Sequence, residues 1–163
     1  MLYLIDGYNL LFRLFSSEKK IEVQRNLLID FLEEKATNLN LKIQVIFDGH
    51  HQNSELPNQS YQNNIKIIYT PKDQTADDYI LDKIFLSKTP SQLIIISSDK
   101  SLLQKAKQLK AQTKTVESFL SFISLSEDKI NETEMNEEDF IDTKENIERL
   151  LKIFKEKYKD EKN

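Results

Sequence analysis

Short apolar runs that favour β-strands alternate with helical stretches along most of this chain. The runs read LYLI, IQVIF, IKIIY, QLIIIS and, more weakly, TKTV. Between them lie EVQRNLLIDFLEEKAT, TADDYILDKIFL and KSLLQKAKQLK, which have helical character. Runs this continuously apolar are typical of strands covered on both faces, so the pattern predicts an α/β domain with a mainly parallel sheet. The least regular join, GHHQNSELPNQSYQNN at residues 49–64, has the length of a crossover but little helical patterning, and we interpret it as a loop.

Charge divides the chain into two parts. The net charge is -4 overall, but it is +1 over residues 1–125 and -5 over residues 126–163. The acidic tail has no Gly or Pro, and a helix start is expected near Asn136 and Asp139. Its apolar residues recur mostly at intervals of three and four, as in an amphipathic helix: Phe140, Ile147, Leu151, Phe154 and Tyr158. We therefore expect one domain at 1–125 and a helical extension at 126–163, which either docks on the domain or makes a weak dimer or partner contact.

The composition excludes several classes of protein. The chain of 163 residues has no cysteine, so it has neither disulfides nor thiolate metal sites. No stretch approaches the ~18 to 20 apolar residues of a membrane span, and no charged leader precedes the first apolar run. We expect a cytoplasmic protein with no membrane partner. Any metal would have to be held by oxygen or imidazole ligands.

Both glycines of the chain follow an aspartate that ends an apolar run. Gly7 follows Asp6, and Gly49 follows Asp48, while Asp99 comes just after a third such run. In a parallel sheet the carboxyl ends of the strands share one edge, where ligands bind. Neighbouring strands are ~4.8 Å apart, so these carboxylates can converge. We interpret the glycines as clearance above the carboxylates, with a positive φ where the turn requires one.

A fourth carboxylate is placed by helical periodicity. With Thr75 as the cap of the helix TADDYILDKIFL and Asp78 as its capping-box partner, Asp77 falls near the centre of the buried face. A carboxylate there points towards the sheet. Three or four carboxylates ~5 Å apart repel one another by roughly 3 kcal/mol per pair at an effective dielectric of ~20, so they would bind a proton or a cation. Oxygen ligands favour Mg²⁺ or Mn²⁺, and such a site suits phosphodiester hydrolysis.

Each of these polar residues also has a purely structural interpretation. Asp48 is a residue type that starts turns, and Asp99, Asp78 and Asn9 are types that cap helices. We favour the cap for Asp78. Capping does not place a carboxylate on a buried face, so it accounts less well for Asp6 and Asp77.

Four segments in order resemble the successive motifs of a known family. LIDGYNLLF, VIFDGHH, TADDYI and IISSDKSLLQ resemble those of the NYN domain, specifically the YacP-like family of PIN-type ribonucleases, over roughly residues 1–120. The resemblance implies a three-layer PIN-like domain with a five-stranded sheet in the order 3-2-1-4-5 and helices on both faces. It also implies a divalent-metal endoribonuclease that cleaves single-stranded RNA, in bacterial members mRNA on the ribosome. Asp6, Asp77 and Asp99 would bind Mg²⁺ or Mn²⁺, and Asn9 and Asp48 would complete the site.

The resemblance has limits at two places. The motifs are also similar to those of structure-specific 5′ nucleases, but Ser101 stands where those enzymes have the last Asp of a second motif. The chain is also too short for their DNA-binding helices, so a flap nuclease is disfavoured. Around the fifth strand, KAQTKTVESFL lacks the glycine and arginines that the YacP-like pattern leads us to expect.

Substrate-binding residues are expected to be basic or aromatic. Between Asp99 and Glu117 there are five lysines and no acidic residue, and together with Arg13 they are candidates for phosphate contacts: Lys100, Lys105, Lys107, Lys110 and Lys114. An equal alternative is that these lysines only form a solvated helix surface and do not contact phosphates. Tyr8 and Phe12 are both candidates for base stacking, with core packing as the alternative for each and the favoured interpretation of Phe12. Ser98 and His50 complete the predicted set, with His50 and His51 contacting substrate rather than metal.

Two other functions remain open at this point. One is a catalytically silent module of the same fold that binds RNA or the ribosome. The other is a receiver or phosphatase in which Asp6 or Asp48 becomes phosphorylated. The second is disfavoured because DGYN lacks the further acid that such phosphatases place two residues on.

Overall fold

The computed structural model describes residues 1–15, 20–49, 57–131 and 143–157. The chain divides into two compact units, Met1–Val116 and Glu117–Asn163. The division that the charge pattern predicts, at residue 125, stays a prediction. In the described parts of the chain, no helix has the length and apolar character needed to cross a membrane.

The first unit is built on one sheet. Its strands are β1 (Leu2–Asp6), β2 (Lys42–Phe47), β3 (Asn58–Gln62), β4 (Ile65–Tyr69), β5 (Leu93–Ile96) and β6 (Gln112–Lys114). They lie in the order β3-β4-β2-β1-β5-β6, and every neighbouring pair is parallel except β3 and β4. The five strands predicted from the sequence are β1, β2, β4, β5 and β6, and they occupy the predicted order. The sixth strand, β3, is an antiparallel addition at the edge.

Helices connect most of the parallel strands, and two further helices follow the last strand. They are α1 (Gly7–Leu14), α2 (Ile21–Asn38), α3 (Ala76–Phe85), α4 (Lys100–Gln108), α5 (Val116–Asn131) and α6 (Thr143–Lys157). The three helices predicted between strands are confirmed as α2, α3 and α4. Helices α1 and α5 were not predicted, because α1 has only two turns and α5 follows directly on the weak last strand.

The β3–β4 hairpin corrects the interpretation of residues 49–64 as a loop. Its strand β3, NQSYQ, is polar and exposed, so no apolar alternation announces it. Three side-chain amides fix the turn to helix α2: Gln62 donates to Asp30, Asn63 to Glu33 and Asn64 to Thr37. Residues 50–56 of the same segment lie outside the described residues.

The core has an apolar layer on each face of the sheet. Successive strand residues point to opposite faces, so Leu4, Ile46, Ile68 and Ile95 share one face. There they pack with α3 and α4 through Ala76, Ile80, Ile84, Leu102 and Ala106. Helices α1 and α2 contact β2 and β4. The polar residues that follow the strands are therefore placed by the same alternation.

The second unit contains the predicted amphipathic helix. In α6, Ile147, Leu151 and Phe154 are buried as the periodicity indicated. Arg149 of α6 donates hydrogen bonds to Ser124 and Asp128 of α5. The predicted helix start at Asn136 and Asp139 lies outside the described residues, as do Phe140 and Tyr158.

Candidate active site

A layer of polar residues covers the apolar core at the carboxyl edge of the sheet. In each of four strands, a polar residue follows the last core residue of the α3 and α4 face by two positions. The pairs are Leu4 and Asp6, Ile46 and Asp48, Ile68 and Thr70, and Ile95 and Ser97. The pleat of the strands therefore directs these polar groups to the side on which α3 begins. We call Asp6, Asn9, Asp48, Asp77, Ser97 and Asp99 the carboxyl-edge cluster.

This cluster lies where the strand order reverses. The chain proceeds outward from β1 through β2 to β4 and then returns to place β5 on the other side of β1. In open parallel sheets the crevice at such a switch point is where ligands bind. Asp6 ends β1, and Ser97 directly follows β5. The topology therefore brings the first and the fourth of the family-like motifs together.

Asp6 is the most buried carboxylate of the cluster. It is 5% exposed and caps α1, accepting hydrogen bonds from the Asn9 backbone N–H (3.2 Å) and from Asn9 Nδ2 (2.7 Å). Burial raises the pKa of Asp6 to about 6, and the negative charges of Asp77 and Asp48 act in the same direction. The hydrogen bonds from Asn9 and Ser97 lower that pKa only in part. The cluster thus holds a carboxylate that is costly to ionise without a nearby cation.

Asn9 links the ends of β1 and β5. Its Oδ1 accepts hydrogen bonds from the Ser98 backbone N–H (2.8 Å) and from Ser97 Oγ (3.3 Å). Ser97, which is fully buried, in turn accepts a hydrogen bond from the backbone N–H of Asp99 (3.0 Å). The helix cap is Asp6 and not Asn9, so the capping alternative for Asn9 is wrong. Asn9 instead fixes the turn that carries Asp99.

Asp77 is half-buried in the first turn of α3, and its carboxylate has no hydrogen-bond donor among the described residues. Burial is the main cause of its raised pKa, followed by the charges of Asp99, Asp48 and Asp78. The ammonium of Lys105 acts in the opposite direction. The Asp77 carboxylate therefore accepts no hydrogen bond among the described residues, and other carboxylates lie near it.

Asp99 caps α4, as its structural interpretation proposed, and the Asp48 carboxylate accepts a hydrogen bond at the start of α3. Asp48 Oδ1 accepts a hydrogen bond from the backbone N–H of Ala76, the first residue of α3. Asp99 Oδ1 accepts from the N–H groups of Ser101 (2.7 Å) and Leu102 (3.0 Å). Both charges still raise the pKa of Asp77, so both carboxylates lie near it. Capping and membership of the cluster are compatible here.

The cap predicted for α3 is confirmed. Thr75 accepts a hydrogen bond from the Asp78 backbone N–H (3.1 Å), and its hydroxyl donates to the Asp78 carboxylate (2.8 Å). This pairing holds Asp78 at the surface and leaves Asp77 on the side that faces the sheet.

The carboxyl-edge cluster suits a hard divalent cation by its donor chemistry. Within the described residues, no group of three or more His, Cys, Asp or Glu side chains could hold a metal ion as they are placed. Mg²⁺ is usually bound through one or two carboxylates, with waters and substrate phosphates as its other ligands. The carboxylates of Asp6 and Asp77 meet that requirement, so the residues present fit such an ion.

The two glycines provide clearance, although not above the carboxylates. A Cβ at Gly49 would lie 1.8 Å from the carbonyl oxygen of Thr70, and one at Gly7 would lie 2.5 Å from the ring of Phe47. Neither glycine has a positive φ. They allow close packing directly below the cluster, and Gly49 also donates a hydrogen bond to the buried Thr70 hydroxyl (3.0 Å).

The predicted substrate-binding residues are spread around the cluster. Arg13, Ser98, Lys100 and Lys107 are exposed, and His50 lies outside the described residues. Tyr8 is partly buried, and its hydroxyl accepts a hydrogen bond from Arg25 (3.0 Å). The interpretation of Phe12 as a core residue is wrong, because its side chain is 65% exposed. Helix α1 has only eight residues, too few for its periodicity to show this exposure in the sequence.

The sequence-based prediction does not include Ser97 or Thr70, and it gives Lys105 no role beside Asp77. Ser97 and Thr70 are buried hydroxyls that hold the turns after β5 and β4, and their signal was a polar residue directly after an apolar strand. Lys105 is the cation that acts on Asp77. Its position near the middle of α4 does not by itself distinguish it from the other lysines of that helix.

A cavity of ≈ 760 Å³ lies at the opposite edge of the sheet. It is lined by residues at the starts of strands, among them Leu2, Lys42 and Leu93. A strand of five residues spans about 16 Å, so this cavity is remote from Asp6 and is not part of the cluster.

Comparisons with known proteins agree with this geometry. The model of the YacP-like NYN domain matches residues 3–162. A crystal structure of Rae1 (YacP) from Bacillus subtilis, in a mutant form, superimposes with a TM-score of 0.64 at 20% identity, covering 91% of this chain and 91% of that chain. A second crystal structure of Rae1 (YacP) from Bacillus subtilis gives a TM-score of 0.62 at 21% identity, covering 96% of this chain and 83% of that chain. Comparison with curated proteins gives no match.

Proposed function

The chain belongs to the YacP-like NYN domain family, and from that premise we propose that it is a metal-dependent endoribonuclease acting on single-stranded RNA. The family and the fold support a role related to nucleases and RNA. The dependence on a metal, the hydrolysis of RNA and the choice of single-stranded RNA are what we propose beyond that role. Its partners would be RNA and the ribosome, with mRNA as the substrate in the cytoplasm.

The observation that carries the proposal is the environment of Asp77. A half-buried carboxylate with no donor among the described residues, next to the buried Asp6, is unfavourable unless it is protonated or binds a cation. Its position at the switch point of a parallel sheet supports a binding role over a purely structural one. Asp6, Asp77 and Asp99 would hold Mg²⁺ or Mn²⁺, as the family resemblance implies.

The surrounding residues suit the hydrolysis of a phosphodiester. A divalent ion bound here would lower the pKa of a water molecule and neutralise negative charge on the phosphate. Asp48 would orient the attacking water, and Asn9 would position the scissile phosphate or a ligand. Lys105 would balance phosphate charge beside Asp77, and Arg13, Lys100 and Lys107 would contact flanking phosphates, with Ser98 and His50 close to them.

A cleavage assay with paired substrates tests the proposal. Purified protein is incubated with end-labelled single-stranded RNA and with DNA of the same sequence, in Mn²⁺, in Mg²⁺ or in a chelator. We expect internal cleavage of the RNA only, and only with the metal. Asp77→Asn should abolish cleavage while folding is retained or improved, because the substitution removes one of the repelling charges.

Asp78→Asn is the matched control. It changes the neighbouring carboxylate, which is exposed and occupied by the Thr75 cap, so cleavage should be close to wild type. Full cleavage by Asp77→Asn would remove Asp77 from the reaction. Metal-independent cleavage, or none by the wild type under any of these conditions, would refute the proposal.

The silent RNA-binding module is the second candidate. It is favoured by one observation, the lack of three convergent metal ligands among the described residues. Thermal unfolding with and without Mn²⁺ separates the two, because a ligand that binds the folded state raises its melting temperature. A rise that Asp77→Asn abolishes supports the enzyme, and no rise supports the silent module.

A further inference from the structure

Phe12 is an exposed aromatic residue on a rigid support. Its side chain is 65% exposed, and its ring stacks on that of Tyr8 with centroids 5.8 Å apart and planes 19° from parallel. Tyr8 is held in turn by an edge contact with Phe47 at 5.2 Å and by the hydrogen bond from Arg25. The outer ring therefore presents apolar surface to solvent while the inner ring is fixed on two sides.

The stack lies on the same helix as the candidate active site. Helix α1 begins directly after Asp6, and Phe12 follows Asn9 by three residues, which is about 4.5 Å along the helix. Residues three and four apart are neighbours on a helix surface, so Phe12 is a neighbour of both Asn9 and Tyr8. A nucleotide next to one held at Asn9 would therefore meet the rings of Tyr8 and Phe12.

Cationic groups flank the stack. Arg13 is exposed and follows Phe12, and the guanidinium of Arg25 lies 5.7 Å from the centre of the Tyr69 ring as well as on the Tyr8 hydroxyl. Aromatic rings beside positive charge are the common means by which proteins bind single-stranded nucleic acid, with bases on the rings and phosphates on the cations. An apolar protein partner would gain little from the adjacent charges.

We propose that the Tyr8–Phe12 stack is the platform for an unpaired nucleobase of the RNA, one nucleotide away from the scissile phosphate. This inference rests on the proposed function and specifies how its substrate is chosen. A base in a duplex has both faces covered by its neighbours and cannot stack on Phe12. The platform would therefore select single-stranded RNA with little preference for base identity.

Binding without cleavage tests the platform. Fluorescence anisotropy with a labelled single-stranded RNA is measured in a chelator, for the wild type, Phe12→Ala and Phe12→Trp. Loss of one stacked base should raise the Kd by about tenfold or more, and Phe12→Trp should restore it. The slope of log Kd against log salt should be unchanged in Phe12→Ala, because no phosphate contact is lost.

Phe85→Ala is the matched control. Phe85 is 74% exposed at the last residue of α3, about 12 Å along that helix from Asp77. Its removal should leave the Kd unchanged. Equal effects of Phe12→Ala and Phe85→Ala would overturn the inference, as would a wild-type protein that binds duplex RNA as tightly as single-stranded RNA or does not bind RNA.

The result is separable from that of the cleavage assay. Tight binding that depends on Phe12, without metal-dependent cleavage, supports the platform and refutes the enzyme. Metal-dependent cleavage of RNA whose binding ignores Phe12 supports the enzyme and refutes the platform.

Discussion

The burial of Asp6 makes the stability of the metal-free protein depend on pH. Its folded-state pKa of about 6 lies above the ordinary value of 3.8, so between these values the folded state binds more protons than the unfolded state. Stability must therefore fall as pH rises through this window, and it levels off above it. A carboxylate whose pKa is lowered on folding has the opposite effect, because it makes stability rise with pH.

The size of the effect follows from the same two values. The full difference between 3.8 and about 6 corresponds to about 3 kcal/mol of unfolding free energy. Between pH 4.5 and pH 7.5, the ionisation of Asp6 should lower the free energy of unfolding by about 2 kcal/mol. Urea unfolding in a chelator, followed by circular dichroism at both pH values, measures it. Asp6→Asn should lack this loss, and Asp73→Asn, which changes an exposed carboxylate before α3, should retain it.

A direct titration gives an independent check. The Asp6 carboxyl carbon, followed by ¹³C NMR in the same buffer, should titrate with a midpoint near pH 6. A midpoint below about pH 4.5, or unfolding profiles of the wild type and Asp6→Asn that stay parallel, would show that burial and neighbouring charge do not act on Asp6 as inferred.

Three further predictions concern the surroundings of the cluster. Gly49→Ala should lower the unfolding free energy by about 3 kcal/mol or more in urea titrations, because its Cβ would lie 1.8 Å from the Thr70 carbonyl oxygen; a loss below about 1 kcal/mol would contradict the packing. Lys105→Gln should raise the pKa of Asp77 further, seen as an upward shift of its NMR midpoint, and an unchanged midpoint would show that Lys105 is too distant. Ser97→Ala should slow RNA cleavage about tenfold or more by releasing Asn9 and the Asp99 turn, whereas Ser91→Ala, at an exposed position before β5, should not.

The parallel sheet was predictable because its strands are marked by continuous apolar runs. β1, β2, β4 and β5 each carry such a run, and an aspartate or hydroxyl follows each strand. An apolar run does not mark β3, because its residues are polar. The backbone of β3 pairs with β4, and side-chain amides at its end and in the turn that follows contact α2. A strand at the edge of a sheet can consist of polar residues, so composition alone does not reveal it.

The site was predictable to the extent that burial and periodicity select a carboxylate. Asp77 was placed by the phase of α3, and Asp6 by the end of β1. The hydrogen bonds that join Asn9 to Ser97 and Ser98 were not predictable, because they connect residues 88 and 89 positions apart in the chain. The exposure of Phe12 was missed for a related reason: α1 is short, and its helical phase becomes visible only when Asp6 is known to be its cap.

The hairpin at the outer margin of the sheet has a consequence for how the protein behaves at high concentration. The interior strands, such as LIII in β5, are apolar and rich in β-branched residues, and strands of this kind tend to pair between molecules when their backbone groups are unpaired. β3 covers one flank of these strands with Asn, Gln, Ser and Tyr, and β6 closes the other flank with only three residues. Such polar or very short borders discourage edge-to-edge association between copies. Residues that contribute little to the candidate active site thus oppose the pairing of its sheet with that of another copy.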